Sequence, residues 1–156
     1  MILNKNYLFI FLISIFSLFI NYYYAYIGVF PLDSFLIFDA GYNIISGNYP
    51  FKDYWSITGP LLDYFQSVFF LIFGVNWFGF VFHSSLLNML LAIFSFYFFC
   101  KIGLKNYYAF IYSLGISVLA YPSVGTPFPD HHAFIFSLFA IYSISLGILL
   151  NLGNSD

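Results

Sequence analysis

Charge is almost missing from this chain over stretches as long as a membrane is thick. The 156 residues hold four lysines, no arginine and six acidic side chains, and 62% of them are hydrophobic. Soluble domains carry about 25% charged residues; with 6%, this chain cannot cover itself with polar surface. Residues 7–26 are apolar apart from Ser14, Ser17, Asn21 and tyrosines. About 20 residues at 1.5 Å each cross a hydrocarbon core of about 30 Å. The expected class is an all-α, polytopic integral membrane protein in a single transmembrane region. The small net charge of −2 points to no nucleic acid, and the lone Cys100 excludes an internal disulfide.

Four spans are expected, over 7–26, 77–100, 107–121 and 133–150. Lys5 precedes the first, and only a tyrosine-rich stretch follows it, with no small-residue cleavage site. The first span is therefore read as uncleaved. Residues 61–73 are apolar but too short to cross, so they predict a re-entrant or interfacial helix. Lys5, Lys101 and Lys105 fall on one side of this arrangement. The positive-inside rule makes that side cytoplasmic, N-terminus included. Residues 27–76 and 122–132 then share the extracytoplasmic face. With them go Asp33, Asp39, Asp53, Asp130, His131 and His132; Lys52 is the one outer lysine.

Within the first outer loop, Pro31-Leu32-Asp33-Ser34 reads as a helix start, with Asp33 or Ser34 as cap. The helix runs to Ser46 and stops at Gly47. Asp39, Asn43 and Ser46 share a polar face, with Phe35, Phe38, Tyr42 and Ile45 opposite, which makes it amphipathic. Asp63 and Gln66, one turn apart, predict the wet face of the short helix. Trp55 and Trp77 read as interface anchors. His83, Ser84 and Asn88 form a stripe suited to helix–helix hydrogen bonding. Asp130 follows Pro129 and reads as a cap for the last span.

In order, Asp33, a helix, Gly47, Tyr49-Pro50-Phe51-Lys52-Asp53-Tyr54, Gly59-Pro60-Leu61 and Phe73-Gly74 form a pattern. It resembles the first extracytoplasmic loop of GT-C glycosyltransferases. The nearest likeness is to protein O-mannosyltransferase and lipid A aminoarabinose transferase relatives. Ser34 stands where that pattern often has Glu, and Phe51 where it has Tyr. The resemblance implies a cytoplasmic (inner) membrane enzyme that moves a sugar from a polyprenyl phosphate to an acceptor hydroxyl, with inversion. It implies Asp33 as catalytic base or acceptor-positioning carboxylate, with Asp39 its rival. It places Asp53, Lys52, His131 and His132 toward substrate and phosphate. Either a protonated histidine, or a divalent metal ion held by Asp130 and His131, would take the leaving phosphate. Family members are much longer, so a missing C-terminal half or a partner subunit is expected beside the bilayer and the lipid-linked donor. The competing expectation is a non-catalytic membrane scaffold or transport-related subunit.

Overall fold

A computed structural model describes residues 5–28, 33–120 and 125–152. Its helices are α1 (Lys5–Ile27), α2 (Asp33–Ile45), α3 (Pro60–Phe73), α4 (Trp77–Lys101), α5 (Asn106–Ala120) and α6 (Pro129–Leu152). No β-strand occurs among the described residues; Pro50 and Tyr54 form one isolated bridge. Three helices, α1, α4 and α6, are long and apolar enough to cross a membrane, which fits a multi-pass membrane protein. The 15 residues of α5 reach only about 22 Å.

The directions of the helices follow from their contacts. Asn106 Nδ2 donates to Asn6 Oδ1 at 2.5 Å, Ser17 and Ser117 share a hydrogen bond of 2.6 Å, and Gly125 lies against Ala25. So α1 and α5 run parallel, with Asn106 level with Asn6. Helix α4 lies between them in the opposite sense: Asn21 Nδ2 reaches Ser84 and Ser85, and Asn88 Nδ2 donates to the Ser117 carbonyl. Helix α6 runs alongside α4, with His132 at His83 and Tyr142 at Ser95. Two helices that point the same way require a return between them, and α5 supplies it.

Small polar residues make the seam of this bundle. Ser17, Asn21, Ser84, Ser85, Asn88, Ser113 and Ser117 are all fully buried. Ser113 and Ser117 hydroxyls return to carbonyls four residues back, so they need no water. Leu8, Phe11, Ile15 and Phe19 of α1 face outward instead. Apolar residues outside and polar residues inside are what a lipid solvent selects.

At one end of the bundle, α2 and α3 pack together over the start of α4 around Ile37, Leu62, Phe70 and Phe80. Asn76 caps α4 by accepting from Gly79 N–H at 2.8 Å. The expected stop of α2 is seen: Ile45 is its last residue, and Gly47 follows at φ 88. Its expected apolar face is covered only in part: Phe38 and Ile45 pack against this cluster. Ser34, Ile37, Ala40 and Gly41 point inward, while Phe35 and Tyr42 are exposed. Gly41 is the reason: a Cβ there would stand 2.6 Å from Gln66 Cγ, so only a hydrogen lets α3 come this close. Ser34 Oγ meets Thr126 Oγ1 at 2.9 Å. The start of α2 and the start of the 125–132 segment are thereby tied at the same end of the bundle.

Candidate functional site

Three adjoining clefts cross that end of the bundle. The first, about 450 Å³, is lined by Phe35, Phe38, Asp39, Tyr54, Trp55 and Ser56 among others. The second, about 230 Å³, shares Leu36, Ile57 and Thr58 with the first and adds Phe128, Pro129 and Asp130. The third, about 410 Å³, runs from Thr58 and Asp130 to His132 and Phe136. They meet along Ile57–Thr58, so a continuous groove joins Asp39 to Asp130. Ser56 is 5% exposed, and its Oγ has no hydrogen-bond partner among the described residues.

A tight loop shapes the groove. The Tyr49 carbonyl accepts from Asp53 N–H at 2.9 Å, and Phe51 N–H donates to the Tyr54 carbonyl at 2.8 Å. Phe51 takes φ 64 to fit. Asp53 Oδ2 accepts from Tyr49 N–H at 2.8 Å, and Asp53 Oδ1 lies 3.9 Å from Lys52 Nζ. The Lys52 ammonium stands over the Tyr49 ring. Asp53 and Lys52 are therefore held by the loop's own groups.

Asp63 anchors the loop from below. It is fully buried, accepting from Tyr54 Oη at 2.8 Å and from Thr58 Oγ1 at 3.2 Å. Burial, and then the bond to this carboxylate, push the Tyr54 phenol above its ordinary range. The expected wet face of α3 is thus overturned. Asp63 and Gln66 point into the protein, and Leu61, Tyr64, Val68, Leu71 and Ile72 point out. Asp63 lies in the first turn of α3, where the positive end of the helix dipole favours a carboxylate.

Gln66 opens a second buried chain. Its Oε1 lies 2.8 Å from His83 Nδ1, His83 Nε2 lies 3.0 Å from His132 Nε2, and His132 Nδ1 lies 2.8 Å from the Phe128 carbonyl. Phe69 stacks on the His83 ring, with centroids 4.7 Å apart. His83 does hydrogen-bond between helices, but toward α3 and α6, while Ser84 and Asn88 serve α1 and α5.

The residues singled out from sequence separate accordingly. Asp39 and Asp130 line the groove. Asp39 Oδ2 also accepts from Asn43 Nδ2 at 3.2 Å, on the face expected. Asp33 begins α2, but its side chain lies outside the described residues. Helix α6 starts at Pro129, four residues before the expected span, so Asp130 sits inside its first turn and not at its cap. His131 is half-buried beside the Phe128 ring, centroids 5.5 Å apart, whereas His132 is 2% exposed. The tandem histidines therefore part company, as two neighbours on a helix must. Trp55 is exposed beside Phe51; Trp77 is half-buried and donates its indole N–H to the Ala25 carbonyl at 3.2 Å. No three of His, Cys, Asp and Glu gather as a metal group among the described residues.

Asp63, Gln66, Ser56 and Thr58 are the residues that sequence reasoning missed. The signal for the first two was present as a spacing of three, but it was assigned to the wrong face. Comparison of the chain with protein-family models, curated proteins and solved structures found no match. The described residues define a class, a helical bundle that fits a multi-pass membrane protein and carries at one end a groove with a carboxylate at each end.

Proposed function

We propose that this chain forms the groove-bearing part of a glycosyltransferase that moves a sugar from a polyprenyl phosphate to an acceptor hydroxyl. The observation that carries the reading is the groove itself, with a carboxylate at each end. Phe35, Phe38 and Trp55 give apolar walls on which a sugar ring can lie. The Ser56 hydroxyl, which has no partner among the described residues, offers a buried hydrogen bond.

In this reading the bundle crosses the membrane four times, α5 making the third pass, with the groove on the extracytoplasmic face. Asp39 or Asp33 takes the proton as the acceptor oxygen attacks the anomeric carbon. The bond to the phosphate oxygen breaks on the opposite side. A protonated histidine, His131 or His132, would hold the departing phosphate; alternatively Asp130 and His131 would hold a divalent metal ion that neutralises its charge. A partner subunit would wall the open side of the groove.

The test is transfer from a radiolabelled polyprenyl-phosphate sugar by membranes containing the full-length gene product. Asp39→Asn and Asp130→Asn are expected to abolish transfer, at least a hundredfold, while leaving membrane levels unchanged. Unchanged transfer, or lost expression in place of lost transfer, would turn the reading toward a structural membrane subunit.

A further inference from the structure

A separate cleft of about 780 Å³ opens toward the other end of the bundle. Helix α4 floors it with Leu90, Ile93, Phe94 and Tyr97, while Ile10 of α1 and Phe139 of α6 form its sides. Leu90 and Tyr97, two turns apart, are both exposed. That bare stripe runs along the helix that is otherwise the most covered of the three long ones. Asn6 and Lys101 close the cleft's outer end, where α1 begins and α4 stops.

The cleft is as deep as one leaflet. From Leu90 to Lys101 the helix rises about 16 Å, half of a hydrocarbon core of about 30 Å. The 25 residues of α4 reach about 37 Å, more than that core, so Lys101, the last of them, stands at headgroup depth. Asp39, Asp53, Asp63 and Asp130 all belong to the groove end, and the one ion pair among the described residues is Lys52–Asp53. The Lys101 ammonium instead lies over the Tyr97 ring, 5.4 Å from its centre, at the mouth of the cleft. In the orientation that the lysines predict, this is the cytoplasmic leaflet, whose anionic lipids make its surface negative.

The lining selects the kind of occupant. Helices meet in a membrane through small residues that let their backbones approach. Where α1, α4 and α5 join, this bundle follows that rule: Ser17 meets Ser117, Asn21 meets Ser84 and Ser85, and Ala92 and Ala109 share one cluster. Among the described residues, no Gly, Ala or Ser lines the cleft. Bulky side chains hold a further helix off, while a fluid chain fills the spaces between them. We propose that α1, α4 and α6 hold one anionic phospholipid, with an acyl chain along Leu90–Tyr97 and its phosphate at Lys101. The site stands apart from the groove and does not depend on glycosyl transfer.

The experiment reconstitutes the full chain in vesicles of phosphatidylcholine and phosphatidylglycerol in equal amounts. The chain is then extracted in mild detergent, and the lipids it retains are counted by native mass spectrometry. Expected is one phosphatidylglycerol per chain, in preference to phosphatidylcholine. Lys101→Gln should cut that preference about fivefold, the worth of one lysine beside an anionic lipid. Lys105→Gln, beyond the cleft in the turn between α4 and α5, should leave it unchanged. Leu90→Trp should fill the cleft and expel lipid of either kind at an unchanged thermal midpoint. If Leu90→Trp fails to fold, the two lysine variants still decide, since both side chains are exposed. Equal retention of the two lipids by wild type, or equal losses in Lys101→Gln and Lys105→Gln, overturns the proposal. So does a dimer that Leu90→Trp separates, which would give the cleft to a second copy.

Discussion

Removing the Asp63 carboxylate should release the roof of the groove before it unfolds the bundle. This side chain receives two hydroxyl donors, Tyr54 Oη at 2.8 Å and Thr58 Oγ1 at 3.2 Å. Hydrogen bonds to a charged group contribute about 1.5–3 kcal/mol each. The Tyr54 hydroxyl is only partly buried and can turn to water, so Asp63→Ala should cost about 3 kcal/mol. Asp63→Asn keeps one oxygen acceptor and should cost about half as much. Lys52 gives a direct readout, because it is the single lysine between Lys5 and Lys101 and its side chain is 75% exposed. Trypsin needs an extended segment around that bond, and the loop is held shut through Tyr54. Where opening is fast relative to cleavage, the rate follows the open population. At about 1.4 kcal/mol per tenfold, 3 kcal/mol means cleavage about a hundredfold faster. Tyr54→Phe should lie between Asp63→Ala and wild type, and the double variant should fall short of the sum. Cleavage within about threefold of wild type in Asp63→Ala would refute the anchoring role.

Gly125→Ala should be one of the most damaging small substitutions. Gly125 has φ +67, and a Cβ there would stand 2.4 Å from the Ala25 backbone nitrogen. Left-handed backbone and overpacking together cost about 2–4 kcal/mol, to be read as a lowered thermal midpoint in detergent. Gly115→Ala, with nothing within 4 Å, should leave the midpoint unchanged or raise it. The raised Tyr54 phenol sets an alkaline dependence. The fold holds that proton more tightly than the unfolded chain, whose phenol ionises near its ordinary value of 10.0. The contribution is therefore whole below about pH 10 and falls as pH rises beyond it. The stability gap between wild type and Tyr54→Phe should shrink over that range; a constant gap would contradict the assignment.

Local physics made much of this fold readable. Apolar length marked α1 and α4, Gly47 marked the end of α2, and the short run after Pro60 marked a helix that cannot span. The Ser34–Thr126 contact joins the start of α2 to the segment before α6 at one end of the bundle. Misreadings came where the solvent inverts the usual rule. On α3, two polar residues one turn apart on an apolar helix read as a wet face. In the structure the polar pair turns inward, and Leu61, Leu71 and Ile72 face out. On α2, Phe38 and Ile45 of the expected apolar face do pack against the core, while Phe35 and Tyr42 stay exposed and Gly41, which carries no hydrophobic signal, makes the close contact. The histidine pairing joins positions 49 residues apart. No spacing in the sequence ties His132, and not His131, to His83. Only the crossing of α4 and α6 settles that.

Helix α6 rests on the molecule along one side. It packs mainly against α4, and much of its length, including Phe134, Ile141, Ile144 and Ile148, is uncovered. It works as a long beam with a chemical contact near its short end. Leu149 lies 17 residues along the helix from His132, about 25 Å. A sideways push of an ångström there, about a support near His132, moves the imidazole by a small fraction of that. Bilayer thickness or a neighbouring helix could shift the far end appreciably while the Nε2 pair keeps its spacing, so the gearing shields the loop end from the membrane around it.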